Sequence, residues 1–241
     1  MRSASEARAL AHRVLGSVQG ADQAQVAVDF EDAAYARFAR NYVVQNLAQS
    51  QGRVDVTYVK DQHVGTASTS NLSDDGLKRV AAAAAEIASR VPVNHEFVSL
   101  ARPAPIERPA RSVYTATRDA TPDDRVAKLL PVFARMQRSG LAASGFTTTQ
   151  AGSVAVVNSL GVDAAHETTY GGIEIKAMAA RTSGFAEYFS RDYASLDDPE
   201  GLAARLDAIP GVVGHGLFLG MTDLLIVGHE DGSTSQQTPT R

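Results

Sequence analysis

Val54, Val56 and Tyr58 alternate strictly with Asp55 and Thr57. This period of two constrains the fold more than any other feature of the chain. Successive side chains of a strand point to opposite faces, so the pattern describes a strand with one face on a core and the other toward water. The same alternation occurs at Val26, Val28 and Phe30 against Ala27 and Asp29. The polar groups Gln51-Gly52-Arg53 and Asp61-Gln62-His63 have hairpin length, and Glu31-Asp32 divides the runs on either side of it. Residues 26–30, 35–40, 43–49, 54–60 and 64–69 are therefore expected as five antiparallel strands.

Helix signals frame these strands. Ser3 followed by Glu6 is a capping-box pattern, and Ala7, Leu10, Ala11, Val14, Leu15 and Val18 then share one face up to Gly20. Ser73 is the expected N-cap of a second helix, with Asp74 and Asp75 in its first turn and Leu77, Val80, Ala84, Ile87 and Val91 as its stripe up to Pro92. Residues 92–112 hold four prolines and little periodicity, which predicts an irregular crossing segment. A third helix starts at Thr121-Pro122-Asp123-Asp124, with Val126, Leu129, Leu130, Phe133 and Met136 inward and Pro131 as an expected kink.

Five more strand-like runs follow at residues 141–149, 153–158, 162–169, 173–180 and 185–192, punctuated by glycine-containing breaks. Matching Asn41 to Asn158 and Gly65 to Gly184 superposes the two halves as an internal repeat. The expected fold class is thus α+β, with two mainly antiparallel sheets and packed helices. The expected divisions are 1–92 and 121–209 as two helix, five-strand, helix halves, 93–120 as the crossing segment, and 210–241 as an appended tail. A helix is expected over 199–209 through Leu202, Leu206 and Ile209, then a strand over 224–227 and a frayed polar end from Ser233.

The run Val64-Gly65-Thr66-Ala67-Ser68-Thr69-Ser70-Asn71-Leu72-Ser73 opens an Ala-rich helix and follows Phe38-Ala39-Arg40-Asn41 with Gln45-Asn46. Further on stand Val156-Val157-Asn158-Ser159-Leu160-Gly161-Val162 and Gly184-Phe185-Ala186-Glu187. Over about residues 4–196 the chain resembles the N-terminal domain of the TldD/PmbA family of metallopeptidases and their metal-free partner subunits. The resemblance implies a domain that helps enclose substrate. The family's cleavage chemistry belongs to a C-terminal domain with a helical HExxxH zinc motif, which this sequence lacks. Residues 198–232, with Ile209-Pro210-Gly211-Val212-Val213 and Gly216-Leu217-Phe218, resemble the end of type A ribose-5-phosphate isomerase. That family's phosphate loop and its DGADE and KGGGGA stretches are missing, so its activity is not carried over.

At 241 residues and 44% hydrophobic content, the chain can bury a real core. A net charge of −4 without single-sign blocks gives no footprint for nucleic acid or an anionic membrane. No cysteine is present, which excludes thiol redox chemistry and thiolate zinc sites and fits a cytoplasmic location. No signal-peptide segment or membrane span is expected.

The candidate sites are sparse. His166-Glu167-Thr168-Thr169-Tyr170 opens like HExxH but has Tyr where the second His belongs, and in a strand His166 and Glu167 would point apart. His12, His63, His95, His215 and His229 lack ligand spacing. Gly214-His215-Gly216-Leu217-Phe218-Leu219-Gly220 has the wrong spacing for a dinucleotide loop. The hydroxyl-rich Gly65–Ser70 run is a candidate anion site at a helix start, set against an edge strand and N-cap. No catalytic, cofactor-binding or metal residue is therefore assigned, and no cofactor.

The expected function is a non-catalytic, substrate-enclosing or interaction portion of a TldD/PmbA-type peptidase, truncated before the catalytic domain. Its expected partners are a second subunit of that type, or a further copy of itself, and unfolded peptide. The alternatives are a peptidase subunit completed by another chain, and a fused or truncated product carrying an isomerase-like tail.

Overall fold

The computed structural model describes residues 2–106, 111–180, 183–194, 225–228 and 234–237. The chain divides into two compact units, Met1–Tyr193 and Ala194–Arg241. The first contains helix α1 (Ala4–Ser17), strands β1 (Gln23–Ala39), β2 (Tyr42–Lys60) and β3 (His63–Thr69), and helix α2 (Asp74–Arg90). It continues with a four-residue helix α3 (Thr115–Arg118), helix α4 (Pro122–Arg138) and strands β4 (Ala142–Asn158), β5 (Asp163–Met178) and β6 (Ser183–Ser190). All six strands form one antiparallel sheet in the order β3-β2-β1-β4-β5-β6. In the second unit β7 (Leu225–Gly228) pairs antiparallel with β8 (Thr234–Gln237).

The α+β class and the antiparallel sheet with packed helices agree with the sequence reading. The strand count does not, because each half contributes three long strands instead of five short ones. Glu31-Asp32 lies inside the 17-residue β1, and Gln51-Gly52-Arg53 inside the 19-residue β2. Gly52 is there for space. A Cβ on it would stand 2.8 Å from Leu72 Cδ1 and 3.1 Å from the Phe30 ring, so the glycine admits those side chains and turns nothing. The two halves also share a single sheet, because β1 pairs with β4 along almost its whole length.

The real hairpin is sharper than the breaks suggested. Arg40 and Asn41 join β1 to β2 with φ of 52° and 66°, and Asp61 and Gln62 join β2 to β3 with φ of 48° and 61°. Positive φ at both central residues matches the right-handed twist of the flanking strands. Asn41 secures its turn by donating Nδ2–H to the Leu141 carbonyl and accepting the Ala143 N–H at Oδ1. Asn158 sits at the matching turn of the second half, where its Oδ1 accepts from the N–H groups of Leu160 and Val162.

Ala33 and Gln150 are direct partners in the β1–β4 ladder, and the shift that carries Asn41 onto Asn158 carries Ala33 onto Gln150. An approximate two-fold through this pair exchanges the halves. α1 lies against β1, β4 and β5, and α4 against β4, β1 and β2, as that axis requires.

The helices take up one face of the sheet. Ala7, Leu10, Ala11 and Val14 of α1 and Leu77, Val80, Ala84 and Ala88 of α2 pack with Val26, Val28, Phe30, Val54, Val56 and Val157. Leu129 and Phe133 of α4 pack with Ala36, Phe38 and Ala143. Even-numbered residues of β1 run through both clusters, so both lie on the same side. Predicted stripes shift at their margins. Ile87 and Leu130 are exposed, while Ala81 and Ala88 are buried. Gly65 explains the small residues, since a Cβ there would fall 2.1 Å from the Ala84 carbonyl oxygen and 2.4 Å from the Ala88 nitrogen. α2 rests directly on the backbone of β3.

The Ser3–Glu6 and Thr121–Asp124 capping boxes and the Ser73 cap form as expected. α4 runs unbroken through Pro131. The strand expected over 224–227 corresponds to β7, and the end expected to fray contains β8. The helix expected over 199–209 lies outside the described residues.

Candidate functional site

The face of the sheet opposite the helices is built from the odd positions of β1 and β2 and the even positions of β4 and β5. No described helix packs on it. One row crosses five strands through direct ladder partners: Leu47, Tyr35, Thr148, Gly172 and Phe189. Phe146 meets the Tyr35 ring edge-on at 6.3 Å, and Tyr170 stacks on Phe189 at 5.2 Å with the planes 8° apart. Gln150 donates to the Tyr35 hydroxyl at 3.0 Å, holding that ring across the sheet. Leu47, Val154, Tyr170 and Phe185 remain between 41% and 61% exposed. Burial pushes the Tyr170 phenol up, helped by the Glu187 carboxylate. The result is an aromatic band set in a polar face, with Asp29, Asp55 and Arg53 toward one end.

A second concavity of about 610 Å³ lies on the helix side, over the two-fold. Asp32, Ala34, Thr149 and Ala151 form its floor, Ser3 and Glu167 one wall, and residues 117–120 the other. Glu167 Oε1 accepts the Ala4 N–H at 2.7 Å, which caps α1 from β5. Behind the opposite wall Arg125 is 3% exposed. Its Nη1 donates to the Ala120 carbonyl and to Thr149 Oγ1, at 3.0 and 2.9 Å, while its Nε has no partner. Burial lowers the pKa of this guanidinium, opposed by the charges of Tyr193 and Asp124.

His166 lies in β5 with Val154 as its ladder partner, on the open face, and Glu167 is on the helix face against Ala4. The two side chains lie on opposite faces of the sheet. His12 approaches Asp163 at 3.1 Å, and Arg8 also pairs with Asp163. Those contacts tie α1 to β5 and hold the Asp163 carboxyl at about 2, chiefly through the Arg8 hydrogen bond. In the Gly65–Ser70 run Ser68 and Thr69 are already engaged: Ser68 donates to Asp55 at 2.6 Å and accepts from Arg53, and Thr69 Oγ1 accepts the Asn71 N–H. Among the described residues no three of His, Asp and Glu are grouped to hold a metal. His215 and His229 and the Gly214–Gly220 loop lie outside the described residues. Arg125 was missed by the sequence reading, because a cation in a helix's first turn looks like a surface charge.

The geometry defines an antiparallel α+β protein with helices on one sheet face and the other face open. The same fold is seen in TldE from Thermococcus kodakarensis, at TM-score 0.62 and 22% identity over 78% of this chain and 42% of that one. A Bacteroides thetaiotaomicron protein described as a candidate modulator of DNA gyrase matches at TM-score 0.63 and 13% identity over 78% and 46%. Residues 35–88 match PmbA/TldA metallopeptidase domain 1, and residues 108–208 match the PmbA/TldA metallopeptidase central domain. The chain belongs to the PmbA/TldD family through these two consecutive domains.

Residues 188–232 match ribose 5-phosphate isomerase A, overlapping the central-domain match over residues 188–208. Enzymes of that name from Halobacterium salinarum and Enterococcus faecalis are 54% identical over 41 residues and 50% identical over 46. The chain covers 18% and 20% of their lengths. It spans less than half of the solved structures it resembles. No helix among the described residues is long and apolar enough to cross a membrane.

Proposed function

We propose that this chain is a non-catalytic, substrate-enclosing part of a PmbA/TldD-type peptidase, receiving extended polypeptide on its open sheet face. The aromatic band carries this reading. Exposed Leu47 and Tyr170, with the half-buried Tyr35 and Phe189 on the same face, suit the alternating side chains of an unfolded segment, and flanking polar residues keep the face soluble. The divisions at 1–92, 93–120, 121–209 and 210–241 are part of the proposal. So is the assignment of no catalytic, cofactor or metal residue to this sequence, which lacks HExxxH. Catalysis belongs to a domain or second family subunit supplied elsewhere, in the cytoplasm. The isomerase-like segment is read as appended sequence without isomerase activity.

Fluorescence anisotropy of a labelled unstructured polypeptide such as β-casein tests this reading. The full chain should bind it, and the double substitution Leu47→Glu with Tyr170→Glu, both on exposed positions, should weaken binding roughly tenfold or more. Retained binding in the double variant would sink the assignment of the face. Cleavage of the polypeptide by the chain alone, with zinc supplied and abolished by a chelator, would sink the non-catalytic role.

A further inference from the structure

The outer side of β2 is only partly used. β3 pairs with Val54–Lys60 and stops there, so among the described residues no strand faces the outer side of residues 42–53. The turn after β2 sets the direction of its backbone groups. Lys60 and His63 flank the two-residue turn Asp61-Gln62 as a hydrogen-bonded pair, and in an antiparallel ladder such pairs recur at every second residue. Even positions of β2 therefore point their N–H and C=O groups outward and odd positions toward β1, where the Val59 carbonyl accepts the Asp22 N–H. The ladder with β1 keeps one register from Val59 to Gln45, so the same parity turns Asn46, Ala48 and Ser50 outward beyond the end of β3.

Such an edge is a template for another strand, and natural edges are guarded by charges, lysine or proline. Residues 42–52 contain none of these. Asn46, Leu47 and Ala48 are exposed. The two-fold relates this edge to the start of β5, which is guarded: Asp163 and Glu167 supply charge there, and the Ser112 carbonyl takes the Thr169 N–H. The register shift opposite Arg37 and Phe38 bounds the regular part of the β2 edge at Gln45, and Leu72 beside Gly52 bounds it at Gln51. Ala48 is the midpoint.

We propose that this edge pairs with the same edge of a second copy of the chain, antiparallel about a two-fold axis at Ala48. Ala48 then faces the partner's Ala48 and Asn46 faces the partner's Ser50, each pair exchanging both backbone hydrogen bonds. No like charges meet, because the stretch has no charge. Self-pairing closes both edges at once, whereas an added peptide would present a new edge of its own. Ala48 is on the helix side, opposite Ala34 and away from the aromatic band, so this pairing stands independently of polypeptide binding on the open face.

An edge contact is small beside a standard interface, so the dimer is expected in the micromolar range, and sedimentation velocity of the full chain from about 1 to 100 μM tests it. Ala48→Pro removes the outward N–H without touching the β1 ladder and should weaken dimerisation roughly tenfold or more. Ala48→Lys and Ala48→Glu each place like charges at the axis and should each dimerise more weakly than the parent. An equimolar mixture of those two should recover the dimer. Should Ala48→Pro lose its fold by circular dichroism, the two charge variants carry the comparison. A monomer at the highest concentration, a dimer indifferent to all three substitutions, or a mixture no tighter than its components would each overturn the proposal.

Discussion

Asp163 shows how one exposed carboxylate fastens an element. It begins β5, yet it holds α1 through Arg8 and His12, whose hydrogen bonds bring its pKa from 3.8 to about 2. A carboxyl with a depressed native pKa contributes stability that is complete above its unfolded value and disappears as pH falls through the folded one. Asp163→Asn should therefore be less stable than the parent at neutral pH. The difference should close as pH drops from 3.8 to about 2, the window set by the shift. Urea midpoints of both proteins across that range measure it; a gap that stays constant with pH would assign the contact no electrostatic role. The aspartate is plain in the sequence, but its partners are not, since Arg8 lies 155 residues away.

At the scale of elements, local chemistry set the helix starts and packing set everything after them. Ser73 Oγ accepts the Gly76 N–H at 3.2 Å, and Asp74 and Asp75 follow in the first turn. Replacing Ser73 by Ala should cost about 1 kcal/mol in chemical denaturation, the usual worth of an N-cap. No change in midpoint would show that water satisfies the freed N–H. These caps were legible because each is made by residues within three positions of one another. The strand breaks were not. Gly52 has the composition of a turn, and only Phe30 and Leu72 pressing on it reveal a site that must be small. Likewise Ala84 and Ala88 gain their importance from Gly65, which lets α2 settle on β3.

At the scale of the whole molecule, the contacts separate residues 1–193 from 194–241, and the family matches change in nearly the same place. β7 finds its ladder partner β8 within the second unit. Deleting residues 212–241 should therefore leave the main thermal transition within a few degrees and increase solubility. Scanning calorimetry of the shortened chain would detect the contrary outcome, a collapse of the cooperative transition. The first unit is organised by its two-fold. β1 and β4 lie at the centre, the three longer helices α1, α2 and α4 spread over one face, and the aromatic band crosses the other.

The sequence by itself determined what neighbouring residues decide: the period of two that demands strands, the three caps, the match of Asn41 to Asn158 between the halves, and the motif runs that mark the family. The tertiary structure alone decided how far each strand runs, that both halves close into one sheet, which face stays bare, and that Arg125 is buried. The physical reason is range. A cap or an alternation is fixed within a few residues of chain, whereas burial and a shared ladder depend on partners as remote as Gln25 and Asn158, brought together only by folding.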